Sequence, residues 1–94
     1  MIGVIATLTI KPGSNAAFEA AMKPIMAKVR AEAGNLFYGL FKTTGNDAYV
    51  LLERYESEAA LEDHRATPHY EELRKLLIDY LVARPDWHVM KEVL

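Results

Sequence analysis

The segment Val50–Leu77, VLLERYESEAALEDHRATPHYEELRKLL, carries the strongest indication of the architecture of this chain. It begins with an apolar run that is typical of a buried strand and then becomes charged. Ser57 predicts the start of a short helix, Glu58–Arg65, because its hydroxyl can accept a hydrogen bond from a free backbone N–H group. Thr67 predicts the next helix start in the same way, with Pro68 at the first helical position, where a missing N–H costs nothing. The pattern therefore predicts a strand, a short helix, a turn and a second helix.

The residues before this segment predict a strand followed by an amphipathic helix. Apolar residues alternate from Ile2 to Ile10, which indicates a strand with one buried face. Ser14 or Asn15 can begin the helix, whose apolar stripe has the spacing i, i+4, i+7, i+8 and i+11. That stripe consists of Phe18, Met22, Ile25, Met26 and Val29. Pro24 predicts a kink or a looser turn within this helix, and Gly34 predicts its end in a left-handed conformation.

Three further strands complete the predicted order. Strands at Leu36–Thr43 and Ala48–Glu56 flank a turn at residues 44–47, which indicates a hairpin, and Trp87–Val93 forms the last strand. The helix after Pro68 has a buried stripe made of Tyr70, Leu73, Leu77, Tyr80 and Leu81. The order βαββ(αα)β predicts an α+β, ferredoxin-like split βαβ fold, with helices on one face of a four-stranded antiparallel sheet.

The second face of the predicted sheet is also apolar. An antiparallel sheet with one solvated face should alternate apolar and polar residues, yet Phe37, Gly39 and Phe41 lie opposite Leu36, Tyr38 and Leu40. The last strand is expected to place Val89 and Val93 on one face and Trp87 and Met90 on the other. Because the chain has no spare helix, a second copy of the same sheet is the expected cover. This predicts a homodimer formed by sheet-on-sheet packing.

Composition limits the classes of function. Ninety-four residues predict a single domain, 1–94, and so short a chain gains stability from association. The net charge of −2 and the absence of basic runs argue against nucleic-acid binding. The chain has no cysteine, which excludes disulfides and thiolate chemistry. The first ten residues are too short for a membrane span and lack the basic start of a signal peptide, so a cytoplasmic protein without a membrane partner is expected.

Seven residues of the central segment match a recurring pattern, E-x-[YW]-x-[SD]-x-x-A-x-x-x-H-x-x-[ST]-x-H. They are Glu53, Tyr55, Ser57, Ala60, His64, Thr67 and His69. In this respect the chain resembles the antibiotic biosynthesis monooxygenase family. The resemblance implies a dimeric α+β barrel. It also implies a monooxygenase without metal, flavin or other cofactor, which oxidises a small aromatic phenol, quinol or anthrone with molecular oxygen.

Candidate site residues follow from residue type and from this resemblance. Histidine titrates near neutral pH, so His64 is the predicted proton acceptor, although a histidine closing a turn by a hydrogen bond would look the same. The resemblance implies that Asn35 holds the substrate anion or oxygen; asparagine after glycine is also an ordinary turn residue. The predicted substrate-binding residues, which could equally be core or interface residues, are Tyr38, Tyr55, His69, Phe41 and Trp87.

Metal binding, haem degradation and a role without oxygenase activity are the other functions to consider. His64, His69 and Glu53 offer metal ligands, but their spacing matches no familiar clamp, so no metal site is predicted. Haem-degrading relatives of the fold use an asparagine on the first strand, which this chain lacks. The alternative function is a dimeric barrel that binds a small molecule or acts as an isomerase without oxygenase activity. A phosphorylated substrate would require a cationic pocket, and the basic residues here are predicted to lie mostly on solvated surfaces.

Overall fold

The computed structural model describes residues 1–45 and 47–94. Within them the chain forms four strands and three helices. In chain order these are β1 Ile2–Thr9, α1 Asn15–Arg30, β2 Asn35–Lys42, β3 Ala48–Tyr55, α2 Glu58–Arg65, α3 Pro68–Tyr80 and β4 Asp86–Lys91. The strand order across the sheet is β2-β3-β1-β4, and all neighbours are antiparallel. The predicted α+β, ferredoxin-like arrangement is confirmed.

Local capping signals place α2 and α3 where the sequence predicts them. The Ser57 hydroxyl accepts a hydrogen bond from the backbone N–H of Ala60 at 3.1 Å, and Thr67 accepts one from Tyr70 at 3.2 Å. The strands differ from the predicted bounds by one or two residues at their ends. Asn46, part of the predicted turn, lies outside the described residues, while Gly45 beside it has a left-handed φ of 91°.

The prediction that Gly34 ends α1 in a left-handed conformation is wrong. The helix contains Pro24 and ends at Arg30, and Ala31 follows with right-handed angles, φ −83° and ψ −9°. Gly34 is instead required by close packing, because a Cβ atom there would lie 2.4 Å from the Cβ of Ala60. This approach brings the segment after α1 against α2.

The core lies between the sheet and the helices. Alternate residues of β1 and β3 face α1 and α3, as the predicted periodicity requires. The largest cluster of buried side chains includes Leu8, Phe18, Met22, Val29, Tyr49, Leu51, Leu73 and Leu77. Two ionisable side chains, Glu53 and His64, are also buried on this face. Such groups need hydrogen-bonding partners, which makes their surroundings the first place to look for a site.

The other face of the sheet is apolar and uncovered within one chain. The Phe37 and Phe41 rings stack 6.3 Å apart with an interplanar angle of 20°, and a side chain at Gly39 between them would collide with both. The prediction that Trp87 and Val89 lie on opposite faces of the sheet is wrong. Trp87 pairs with Ala6, and Val89 pairs with Val4. Both therefore lie on the helix side of the sheet, because side chains two residues apart share a face.

Among the described residues, no helix combines the length and apolarity needed to cross a bilayer.

Candidate active site

His64 lies in the last turn of α2, with its ring buried between the helices and the sheet. Only 1% of the residue is exposed. The Thr67 hydroxyl donates a hydrogen bond to the backbone carbonyl of His64 at 2.7 Å, while accepting one from the first turn of α3. This turn holds the ends of α2 and α3 together. It places His69, at the start of α3, near His64, with ring centroids 6.4 Å apart.

Glu32 connects the two histidines. One of its carboxylate oxygens lies 2.9 Å from Nδ1 of His64 and 2.5 Å from Nε2 of His69. An ionised carboxylate only accepts hydrogen bonds, so neutral His64 donates its proton through Nδ1 and leaves Nε2 with a free lone pair. Burial lowers the pKa of His64, and the hydrogen bond to Glu32 opposes that shift. The ring is therefore held in the neutral form that can accept a proton.

Glu53, on β3, faces the other edge of the His64 ring. Its Oε1 atom lies 3.8 Å from Nε2 of His64 and accepts a hydrogen bond from the Tyr55 hydroxyl at 2.6 Å. Burial raises the pKa of Glu53 to about 7, although the Tyr55 hydrogen bond acts in the opposite direction. Burial and the adjacent carboxylate also raise the pKa of Tyr55, which keeps its hydroxyl a donor. Glu53 can therefore gain or lose a proton near neutral pH, while Tyr55 stays protonated.

Glu32 lines a cavity of about 400 Å³. Two other cavities adjoin each other on the Glu53 side of His64. The smaller, which we call the His64 cavity, has a volume of about 250 Å³. It is lined by Val4, Glu53, Leu61, His64, Arg65, Tyr70, Trp87 and Val89. The larger has a volume of about 600 Å³ and shares Tyr70 and Trp87 with it. Apolar walls around a few polar groups are the usual composition of a small-molecule site.

The model of the antibiotic biosynthesis monooxygenase family matches residues 1–76 of the chain. The chain belongs to this family. Its relatives include the Mycobacterium tuberculosis protein named "Putative monooxygenase Rv0793", which is 34% identical over 84 residues, covering 89% of this chain and 82% of that protein. The Bacillus subtilis protein named "Putative monooxygenase YcnE" is 33% identical over 72 residues, covering 76% of each.

Solved structures of the family agree with the fold described above. The structure of Rv0793 matches with a TM-score of 0.90 at 30% identity, covering 98% of this chain and 94% of that one. A Caulobacter crescentus structure, titled as a putative antibiotic biosynthesis monooxygenase, matches with a TM-score of 0.92 at 30% identity, covering 99% and 90%. Sequence and structural similarity across nearly the whole chain thus support a monooxygenase-like role.

The predicted site residues fall into two groups in this family member. His64, Tyr55, His69 and Trp87 lie around the buried histidine, and Trp87 stands in the wall between the two cavities. Tyr38 packs near the buried histidine, with its ring centroid 6.1 Å from that of His64. Asn35 and Phe41 lie elsewhere: the Asn35 amide donates to the carbonyl of Phe37 at 3.1 Å, and Phe41 lies on the opposite face of the sheet. Their assigned roles stay predictions.

The sequence did not identify Glu32 as a site residue, and it indicated Glu53 only as part of the family pattern and as a possible metal ligand. No local signal pointed to Glu32, because its partners His64 and His69 lie 32 and 37 positions away in the sequence. The partners of Glu53 in this structure are Tyr55 and His64 of the same chain.

Glu32, His64 and His69 also have the composition of a metal-binding triad. One ligand atom from each lies within 4.8 Å of the other two, with Glu32 where the sequence had suggested Glu53. Ligands about 2.0–2.1 Å from a tetrahedral ion would be roughly 3.3 Å apart. In this structure the Glu32 carboxylate contacts both rings directly, and we describe the cluster as a hydrogen-bonded network.

Proposed function

We propose that this protein is a cofactor-independent monooxygenase that oxidises an electron-rich quinol, anthrone or related phenol with molecular oxygen. The observation that carries the proposal is the buried, neutral His64, whose Nδ1 is bound by Glu32 and whose Nε2 edge faces an apolar-walled cavity. Such a histidine is a positioned base. Membership of the antibiotic biosynthesis monooxygenase family supports the reaction class.

The reaction requires only the substrate and oxygen. His64 removes the hydroxyl proton of the enol or phenol form, and the resulting anion is electron-rich enough to reduce oxygen. For an anthrone, the CH₂ carbon loses two hydrogens and gains one oxygen atom, while the second oxygen atom leaves as water. All four electrons come from the substrate. The protein supplies a base, a dry site and stabilisation of charge.

The residues around His64 divide this work. Glu32 stabilises the imidazolium that forms when Nε2 takes the proton, because the carboxylate lies against the opposite nitrogen. Glu53, with its pKa near 7, can receive the proton and pass it to the departing water. Trp87, Tyr70 and Val89 provide flat apolar walls for an aromatic ring.

The oligomeric part of the proposal is a homodimer formed through the open face of the sheet. Phe37, Phe41 and Met90 are exposed there, although an isolated soluble chain gains nothing by exposing large apolar side chains on one surface. A second copy of the same face is self-complementary and would cover them.

Oxygen uptake by chelator-treated protein tests the reaction, with anthrones and hydroquinones as the panel. We expect saturable uptake above the uncatalysed rate, unchanged by metal removal. The His64→Gln variant should lower kcat by about 10²–10⁴-fold. The control is His88→Gln, which changes an exposed histidine paired with Asp86.

Each result has a distinct meaning. Equal activity in His64→Gln and the parent protein would contradict the role of His64 as the base. An Asn35→Ala variant measured alongside tests the predicted anchor for the anion or oxygen. A folded protein with no uptake across the panel would contradict the oxygenase function and favour ligand binding or isomerisation.

A further inference from the structure

The larger cavity has a charge that the proposed reaction does not require. It lies between α3 and the segment before β4, and we call it the arginine cavity because Arg74 and Arg84 line it. The chain as a whole has 13 acidic and 11 basic residues, yet no acidic residue lines this cavity within the described part of the chain. Its other walls are apolar, among them Leu77, Ile78 and Val82. This combination fits a ligand that is apolar along its body and anionic at one point.

We propose that the arginine cavity binds an acidic substituent of the substrate, so that the preferred substrate is an aromatic quinol or anthrone bearing a carboxylate. The inference rests on the proposed function for its reacting end. The two cavities share Tyr70 and Trp87, which places the arginines beside the same aromatic walls that lead to His64. A fused-ring substrate can occupy the His64 cavity while its carboxylate extends past Trp87.

The two arginines differ in how available they are. Arg74 forms a salt bridge of 3.0 Å with Glu71, one turn earlier on α3, and both side chains are more than half exposed. Such a surface pair is weak and can be exchanged for a ligand. Arg84 forms no ion pair or side-chain hydrogen bond with the residues described, and its guanidinium can bind a carboxylate through two parallel N–H groups. Arg84 is therefore the main anchor and Arg74 the second.

The cation at position 84 should make the arginine cavity favour an anionic aromatic ligand over a neutral one. A carboxylate can accept charge-assisted hydrogen bonds from the Arg84 guanidinium, whereas a neutral ring offers no such acceptor. The proposed specificity thus comes from a residue that does not line the His64 cavity. A change at Arg84 should affect binding of an anionic substrate and leave the chemical step unchanged.

Two dyes that differ only in a charged group test this without any turnover. They are 8-anilinonaphthalene-1-sulfonate and neutral N-phenyl-1-naphthylamine, with the sulfonate standing in for a carboxylate. We expect Arg84→Ala to weaken binding of the anionic dye by about tenfold or more and to change binding of the neutral dye less than twofold. Lys75→Ala, which removes an equal charge beside Arg74 but outside the cavity, is the matched control. Ala83→Trp, which fills the cavity, should weaken both dyes.

A second pair of probes applies the test to the reaction, using 1,4-dihydroxynaphthalene and its 2-carboxylate. Arg84→Ala should raise KM for the carboxylate about tenfold while kcat, and both constants for the neutral quinol, stay within twofold. Equal effects of Arg84→Ala on both dyes, or no effect on the anionic dye, would overturn the proposal. Discrimination between the dyes without any oxygen uptake would retain the anion site and reject the proposed oxygenase.

Discussion

His64 and Glu32 lie 32 positions apart in the sequence, yet Nδ1 of the histidine is 2.9 Å from a carboxylate oxygen of the glutamate. The contact orients the ring and selects its tautomer. It also offsets part of the cost of placing an imidazolium in a buried site, because the compensating charge is already present. In the proposed reaction, the action of His64 as a base therefore depends on a residue from another part of the fold.

Replacing Glu32 tests that dependence. Glu32→Gln keeps the size of the side chain but removes the charge that stabilises protonated His64. We expect kcat for a quinol substrate to fall by about 10²-fold, with a smaller change in KM, because the lost interaction forms mainly as the proton is transferred. Glu19→Gln is the control. Glu19, on α1, likewise bonds to a ring side chain, accepting a hydrogen bond from the Tyr49 hydroxyl. Similar losses in both variants would contradict a specific role for Glu32.

The raised pKa of Glu53 predicts that the free energy of unfolding depends on pH. Its folded-state pKa of about 7 lies above the ordinary value of 4.5. The stabilisation from the protonated carboxyl is therefore complete below about pH 4.5 and is lost as the pH rises through 7. Glu53→Gln stays neutral and still accepts from Tyr55. The free energy of unfolding of the variant relative to the parent should rise by on the order of 3 kcal/mol between pH 4.5 and 8.

Urea unfolding at fixed protein concentration, followed by the fluorescence of Trp87, measures this difference. Burial lowers the pKa of His64, whereas it raises that of Glu53. The stabilisation that neutral His64 contributes to the fold is therefore lost as the pH falls below 6.5. Comparing variant and parent at each pH largely removes that contribution. A difference in unfolding free energy that stays constant from pH 4.5 to 8 would be incompatible with a raised pKa for Glu53.

Two buried tyrosines should respond differently to loss of their hydroxyl groups. Tyr55→Phe removes the donor to Glu53 and should cost about 1–2 kcal/mol of stability at pH 8. The Tyr38 hydroxyl is buried without a hydrogen-bond partner among the described residues. Tyr38→Phe should therefore be neutral or stabilise the protein by up to about 1 kcal/mol. Thermal or urea unfolding measures both, and equal destabilisation by the two changes would show that Tyr38 has a polar partner after all.

The proposed dimer predicts the effect of a charge on the open face of the sheet. Phe41→Glu would bury a carboxylate from each chain in the proposed interface, and burying unpaired charges opposes association. Light scattering should give about twice the chain mass of 10.6 kDa for the parent and a single chain mass for the variant. Ala20→Glu, on the exposed side of α1, should remain dimeric. A monomeric parent at micromolar concentration would contradict the dimer.

Sequence reasoning predicted the elements of this fold well where the signals are local. Ser57 and Pro68 act on backbone groups within one turn, so α2 and the start of α3 were predicted to the residue. The helix spacing of Phe18, Met22 and Val29 likewise predicted their burial. Gly34 was misinterpreted because its small size is needed for contact with Ala60, a residue distant in sequence, and not for its own backbone angles.

The candidate site was predicted in part. Residue type and a family pattern identified His64 as a candidate, whereas the proposed role of Glu32 depends on the segment after α1 meeting the end of α2 and the start of α3. The pKa of Glu53 could not be predicted either, since it results from burial that only the packed chain creates.

Local chemistry therefore explains what the amino-acid sequence alone indicated: the elements, their order, the apolar second face of the sheet and His64 as a candidate site residue. Packing established the rest: the pairing of Glu32 with both histidines, the position of Trp87 between two cavities and the arginines beside it. The physical reason is range. Caps, turns and periodicity act over a few residues, while hydrogen bonds and burial in the site join residues that are brought together only when the chain folds.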